Sequence, residues 1–349
     1  MINRIDIQGF KSIDNEFLKL APLTILTGTN SSGKSTVIQA LLLIFKNSVH
    51  MNRFSMDEIT RYLSDFSSIR NKNTNAREIN LSVETTNKEN ISLRISSTDI
   101  LFNPSELYVY ESNSDEVKPE FFYLNANRIG PQEQVTVTER KVGNSAEFIF
   151  NYFEKVKRNP LSEGLVYFEG SSTIDFQVSK WLSYITETES KLVTEQVSTN
   201  HINISFDMGG IKDISPLNLG SGISYVTKVI ILCLIAKKGD LIIIENPEIH
   251  LHPKAQAKLG VFLTFIANSG IQLIIETHCE HLINKIAYQI YNDKIPDKNV
   301  VIHYKGSVNE TFQTLNIDEN GEFNNEHGCI ISFPKGFFDA TLANLMEMR

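Results

Sequence analysis

Eight residues near the start of the chain, Gly28-Thr29-Asn30-Ser31-Ser32-Gly33-Lys34-Ser35, constrain its fold more than any other stretch. Ahead of them, Leu23-Thr24-Ile25-Leu26-Thr27 reads as a buried strand. Behind them, Ile38, Leu41, Leu42 and Phe45 recur at helical spacing. A glycine-rich turn between a strand and a helix is the Walker A arrangement. Its two glycines let the backbone curl, so that N–H groups from Asn30 to Ser32 and the helix start at Thr36 face a polyphosphate. Lys34 then reaches the terminal phosphates, and Ser35 places its hydroxyl on Mg²⁺. The ligand class is ATP or a similar nucleotide.

The rest of the composition sets limits. At 349 residues the chain can bury a full α/β core. Its net charge of −8 argues against a DNA-coating surface, while leaving room for a local basic patch. Three cysteines, Cys233, Cys279 and Cys329, are odd in number and read as reduced thiols, which predicts a cytoplasmic protein. No apolar run reaches membrane-spanning length, so no membrane partner is expected.

Along the chain, Ile2 to Leu20 predicts a hairpin. The Asn- and Ser-rich stretch from Ser64 to Glu78 predicts an exposed loop. Ile79–Val83 and Ile91–Ile95 alternate around Asn87-Lys88-Glu89-Asn90 and predict a second hairpin. Phe121–Leu124 reads as a strand leading to Arg128-Ile129-Gly130-Pro131. From about Ala146 to Gln196 the pattern is mainly helical, with Trp181 expected to anchor this insert. Strands resume at Ile202. A helix over Ser224–Lys238 capped by Gly239, strand Leu241–Ile244, helix Pro253–Asn268 and strand Ile271–Ile275 then follow.

Three later features narrow the nucleotide chemistry. The apolar strand Leu241-Ile242-Ile243-Ile244 ends in Glu245-Asn246-Pro247-Glu248, a Walker B arrangement whose carboxylate holds Mg²⁺ directly or through water. Gly220-Ser221-Gly222 opens an amphipathic helix and offers free N–H groups to an anion. Glu276-Thr277-His278 ends the next strand and places an imidazole at the sheet edge.

Together these motifs resemble the ABC-type ATPase head shared by RecF, SMC proteins and the overcoming-lysogenization-defect ATPases. Gly9-Phe10-Lys11-Ser12 is similar to the opening of those proteins, and Pro247-Glu248-Ile249-His250-Leu251-His252-Pro253 to their segment after Walker B. Asp318-Glu319-Asn320-Gly321-Glu322-Phe323 and Phe333-Pro334-Lys335-Gly336-Phe337-Phe338-Asp339 resemble a C-terminal domain of small bacterial ATPases in Septu- and PARIS-like anti-phage systems. The likeness is good at both ends and poor over roughly residues 45–200.

The resemblance implies an α/β fold: one P-loop NTPase head over residues 1–349, with a mixed sheet, N-terminal β hairpins, a helical insert at 136–200 and a C-terminal tail region at 300–349. It implies ATP and Mg²⁺ as cofactors, with Gly28, Asn30, Ser31, Ser32, Gly33, Lys34, Ser35 and Thr36 around the nucleotide, and Ser35 and Glu245 on the metal. Ser221 and Gly222 would meet the γ-phosphate bound by a second copy. The outcome is a homodimer, or a higher homo-oligomer, held by sandwiched ATP. His278 would sense that phosphate, and the Arg128–Pro131 segment falls where a nucleotide-sensing loop lies. The biological role so implied is sensing or restraint of a separate nuclease-like effector in anti-phage defence.

One departure bears on chemistry. Typical heads place Asp and then Glu after the Walker B strand, where this chain has Glu245 and Asn246. Asn cannot accept a proton, so hydrolysis is predicted to be slow, or Glu248 supplies the carboxylate. Catalytic candidates are therefore Glu245, Glu248 and His278; Glu276 reads equally well as a sheet-edge acid. Rival functions are a RecF-like ATPase clamping DNA, a scaffold with structural ATP, and a small-molecule kinase, which the helix at Ser221 and His278 weaken. His250, His252, His278 and His281 do not complete a zinc set, and Asp318–Gly321 suits a hairpin turn better than a calcium loop.

Overall fold

The computed structural model describes residues 1–47, 65–103, 109–110 and 119–334. Contacts divide the chain into two compact units, Met1–Tyr110 with Ala287–Arg349 and, between them, Glu111–Ile286. Elements are numbered in chain order.

In the first unit, β1 (Ile2–Phe10) and β2 (Ile13–Lys19) form the expected hairpin, with Arg4 opposite Lys19 and Phe10 opposite Ile13. β4 (Glu78–Thr85) and β5 (Asn90–Ser96) form the second. Both hairpins and β6 (Ile100–Asn103) share one antiparallel sheet in the order β2-β1-β4-β5-β6. β4 alternates strictly, so Ile79, Leu81, Val83 and Thr85 turn inward and the polar residues between them stay partly exposed. α1 (Lys34–Asn47) packs on β1, β4 and β5 and on the strand before it, β3 (Leu23–Gly28).

β3 is buried along its whole length and pairs in parallel with β15 (Val300–Lys305), from Leu23 beside Val300 to Gly28 beside Lys305. Burial on both faces explains the unbroken apolar reading of such strands. β16 (Gln313–Ile317) and β17 (Phe323–Asn324) continue antiparallel, and the Asp318–Gly321 segment is the turn joining them. β7 (Val109–Tyr110) closes the first stretch of this unit.

The second unit is built on the parallel strands β8 (Glu120–Leu124), β13 (Leu241–Glu245) and β14 (Gln272–Glu276), with β13 central. A smaller antiparallel sheet contains β10 (Ser190–Gln196), β11 (His201–Met208) and β12 (Ile211–Ile214), with β9 (Gln134–Thr136) also on β11. Helices α3 (Ile149–Val156) and α4 (Ile174–Thr186) pack against β10, and α5 (Ser221–Ile235) packs on both of them. α6 (Pro253–Asn268) has the predicted bounds: Pro253 suits the first turn, and the His252 ring accepts the Lys254 N–H at 3.3 Å. Trp181 is fully buried between α4 and α6, its ring centroid 4.8 Å from Phe262 and 4.6 Å from Tyr167. It anchors the insert as expected.

Three sequence readings need correction. The Ser64–Glu78 stretch, where described, holds a single helical turn, α2 (Phe66–Ile69), and buries Ile69 and Asn71. The Asn71 carboxamide oxygen accepts the N–H groups of Asn73 and Thr74, satisfying a tight turn that composition reads only as polar. The region read as helical ends in strand β10, paired with β11 from Ser190–Met208 to Gln196–Ile202. Its inward positions include Ser190 and Thr194, whose polarity hides the alternation. α5 begins at Ser221, where the Gly220-Ser221-Gly222 motif opens it, but stops at Ile235, short of the expected Lys238, because the Asp240 carboxylate captures the Lys237 N–H at 2.7 Å in the turn that follows. Gly239, at φ +98°, serves that turn and is not the helix cap. The motif residues Lys335–Asp339 lie outside the described residues.

Candidate functional site

The phosphate loop lies in the first unit. Gly28 has φ +133°, and a Cβ there would lie 2.1 Å from the Lys305 carbonyl oxygen. Gly33 has φ +110°, and its Cβ would meet the Ser12 hydroxyl at 2.5 Å. Both positions therefore exclude side chains, as the motif requires. Thr29 pins the loop to β15: its N–H donates to the Lys305 carbonyl at 3.2 Å and its hydroxyl to that of Gly306 at 2.6 Å. Thr29, Asn30 and Ser31 are exposed and Ser35 is half-buried. Lys34 is buried, its ammonium donating to the carbonyls of Gly28 at 3.2 Å and Thr29 at 2.6 Å. The Ser32 hydroxyl is buried without a hydrogen-bond partner. A strained glycine cradle, a lysine folded over it and an orphaned hydroxyl fit a polyphosphate chelated to Mg²⁺.

A cavity of about 630 Å³ opens at the other end of β3 and β15, away from this loop. Arg4, Lys19 and Lys298 face Glu84, Asp297 and Glu326 there. Such balanced charge does not select a phosphate. The loop, not the cavity, has the donors that an anion needs.

The acids that follow β13 lie in the second unit. Glu245 ends β13 and is held at both oxygens, by the Tyr123 hydroxyl at 2.9 Å and the Ala126 N–H at 3.0 Å. Asn246, at φ +44°, donates its N–H to the Glu276 carbonyl at 2.7 Å and leaves its side-chain oxygen buried without a partner. Glu248 is only 8% exposed. Its Oε1 accepts the Thr277 hydroxyl at 2.7 Å, whereas its Oε2 is buried and has no hydrogen-bond partner. Burial pushes its carboxyl above the usual 4.5, against the opposing pull of Thr277 and of the Arg128 charge. A carboxyl so placed can exchange a proton, and a fixed carboxylate such as that of Glu245 can face a metal or a water shell. His278 is exposed, just beyond the buried Thr277 and Glu276.

Ser221 is the first, half-buried residue of α5, and no side chain caps that helix. Gly222 is buried against the turn after β13, where a Cβ would lie 2.4 Å from the His250 carbonyl oxygen. Arg128 is also buried. Its guanidinium faces inward, donating to the carbonyls of Glu245 at 2.7 Å, Asn246 at 2.5 Å and Asn125 at 3.2 Å. Sequence reasoning missed Tyr123 and Thr277 as holders of the two acids. Only the spacing of Thr277 between Glu276 and His278 could have drawn attention to it. Among the described residues no group of three or more His, Cys, Asp and Glu side chains is placed to hold a metal, and no helix is long and apolar enough to cross a membrane.

A family model described as "AAA domain, putative AbiEii toxin, Type IV TA system" matches residues 23–284. The chain belongs to that AAA family. The fold is that of an ABC-type ATPase head: it is similar to an SMC head bound to the C-terminal winged-helix domain of ScpA, at TM-score 0.53 and 13% identity, covering 91% of this chain and 98% of that one. An SMC head domain from Thermotoga maritima gives a TM-score of 0.49 and 14% identity over 87% of this chain and 94% of that one. None of the curated proteins matches the chain. The expected class, an α/β ABC-type head with a mixed sheet and N-terminal β hairpins, is therefore correct.

Proposed function

We propose that this AAA-family head is a slow, Mg²⁺-dependent ATPase that works as a nucleotide-driven dimeric switch. Lys34, with the loop from Gly28 to Thr36, takes the triphosphate, and Ser35 and Glu245 hold Mg²⁺. Glu248, not Asn246, polarises the attacking water. The observation that carries this reading is the Glu248 carboxylate itself, held through one oxygen by Thr277 and buried without a partner at the other. Asn246 cannot take a proton. A base working from two residues further along, and already shielded from water, gives a slow turnover and a long-lived ATP state.

ATP then acts as the link between two copies: the head of α5 at Ser221 and Gly222 contacts the γ-phosphate on the partner's loop, and His278 reports whether that phosphate is present. The closed dimer is the signalling form, and it controls a separate nuclease-like effector in bacterial anti-phage defence. Membership of a family described by a toxin–antitoxin system supports a role in conflict rather than housekeeping. The test is ATP turnover by purified protein with and without Mg²⁺, beside Lys34→Ala. Mg²⁺-dependent hydrolysis lost in the variant supports the reading. Hydrolysis that survives Lys34→Ala removes it.

A further inference from the structure

Among the described residues, Arg128 and Lys228 of the second unit are buried with no carboxylate in ion-pair contact, and the proposed chemistry uses neither. Arg128 takes three main-chain carbonyls, two of them, from Glu245 and Asn246, at the end of β13. Lys228 is fully buried two turns into α5. Its ammonium donates to the Ile129 carbonyl at 2.7 Å and the Gln132 side-chain oxygen at 2.9 Å, with the Gly130 carbonyl at 3.4 Å. Its charge also lies 5.2 Å from the centre of the Phe150 ring.

Burying a charge against neutral acceptors is expensive, and here it happens twice within one short segment. Desolvation draws Arg128 down to about 10 and Lys228 to about 7. Arg128 and Lys228 repel each other, while Glu147 draws on Lys228 and Glu248, Tyr225 and Glu245 on Arg128. Removing either side chain would leave buried main-chain carbonyls without their donor.

What they hold is one segment, Asn125–Gln132, fastened on two sides. Ser221, Tyr225 and Lys228 are spaced four and three apart and so share a face of α5. Tyr225 lies on that face with its ring 5.9 Å from the Arg128 guanidinium and 5.2 Å from the His250 ring. The same face thus meets the segment through Lys228 and the turn after β13 through Tyr225 and Gly222. We infer that Arg128 and Lys228 are positioning residues, making Asn125–Gln132 a strut that ties the Glu248 turn to the head of α5 at Ser221. The strut rests on the roles given above to Glu248 and Ser221. It makes the state of one nucleotide felt at the surface that grips the next.

The experiment compares wild type with Arg128→Lys, Lys228→Met and the double variant. Lysine keeps the charge of Arg128 but cannot span two carbonyls, and methionine keeps the length of Lys228 without a donor. ATP affinity is measured by a fluorescent analogue, and single-turnover rate is normalised to bound nucleotide. The expected result is affinity within about threefold of wild type, a rate at least tenfold lower in each single variant, and a double variant no slower than the worse single. Non-additivity marks one shared strut, whereas general destabilisation multiplies. Single variants that turn over at the wild-type rate per bound ATP, or a double variant whose losses multiply, overturn the inference. Glu248→Gln is run beside them: if it leaves turnover intact, the proposed base is wrong, a failure distinct from that of the strut. Should Lys228→Met not fold, Gln132→Ala removes one acceptor from the half-buried end of the strut. It should lower the rate by about two- to fivefold, and an unchanged rate there also overturns the inference.

Discussion

Replacing Glu248 with glutamine isolates the one group on which turnover should depend. The amide keeps the shape and can still accept the Thr277 hydroxyl through its oxygen, at the 2.7 Å contact that holds the carboxylate. It cannot accept a proton at the second position, where Oε2 now lies buried without a partner. Loss of a general base costs typically ~10²–10⁴-fold, so the rate should fall by about that factor with ATP affinity little changed. Folding should not suffer, since a neutral amide replaces a group that burial disfavours when charged. The sign of the pH effect follows from the raised carboxyl. The native state holds its proton above pH 4.5, where the unfolded chain releases it. The stability this supplies is present at low pH and lost as pH rises through the folded-state value, whereas the wild-type rate climbs through the same range. Glu248→Gln should flatten both. Single-turnover hydrolysis at several pH values, with thermal unfolding alongside, provides the readout. A folded, ATP-binding variant with more than a third of the wild-type rate would refute the assignment.

Other expectations are equally direct. Gly222→Ala places a methyl against the His250 carbonyl and should cost about 1–3 kcal/mol by overpacking, seen as a lower unfolding midpoint and weaker ATP-driven association. Trp181→Ala empties the ring cluster between α4 and α6 and should cost about 3–5 kcal/mol in denaturant melts, with little effect on ATP affinity in the folded fraction. His303 is buried, bonded to the Lys19 carbonyl and the Thr314 hydroxyl, and desolvation draws it down from 6.5 to about 4. The unfolded chain gains that proton first, so stability falls as pH drops from 6.5 towards 4, by up to about 3 kcal/mol. His303→Gln should make the acid melting profile shallower over that window, and an unchanged slope would contradict the assignment.

Much of this molecule is legible where local chemistry decides structure. The Gly28–Ser35 turn, the β4–β5 hairpin and α6 each carry their own boundary signals in glycine, in alternation or in Pro253. Legibility fails where partners distant in sequence decide. Ser190 and Thr194 become strand residues because β11 lies alongside, and α5 stops short because Asp240 reaches back to Lys237. The candidate site divides the same way. Lys34, Glu245, Glu248 and His278 stand out as motif residues, yet their different fates do not. Tyr123 and Ala126 occupy both oxygens of Glu245, while Thr277 leaves one buried oxygen of Glu248 without a partner, and neither arrangement is written in the local spacing. The Arg128–Pro131 segment stands out only through family resemblance, and the three carbonyls that draw the Arg128 guanidinium inside are not written in its local sequence.

The most direct measurement of the account is molecular mass by light scattering, taken on Glu248→Gln with Mg²⁺ and either no nucleotide or saturating ATP. The account predicts a monomer that becomes a dimer with ATP, and Ser221→Arg should keep it a monomer while leaving ATP bound. A protein saturated with ATP that keeps one unchanged mass would contradict it.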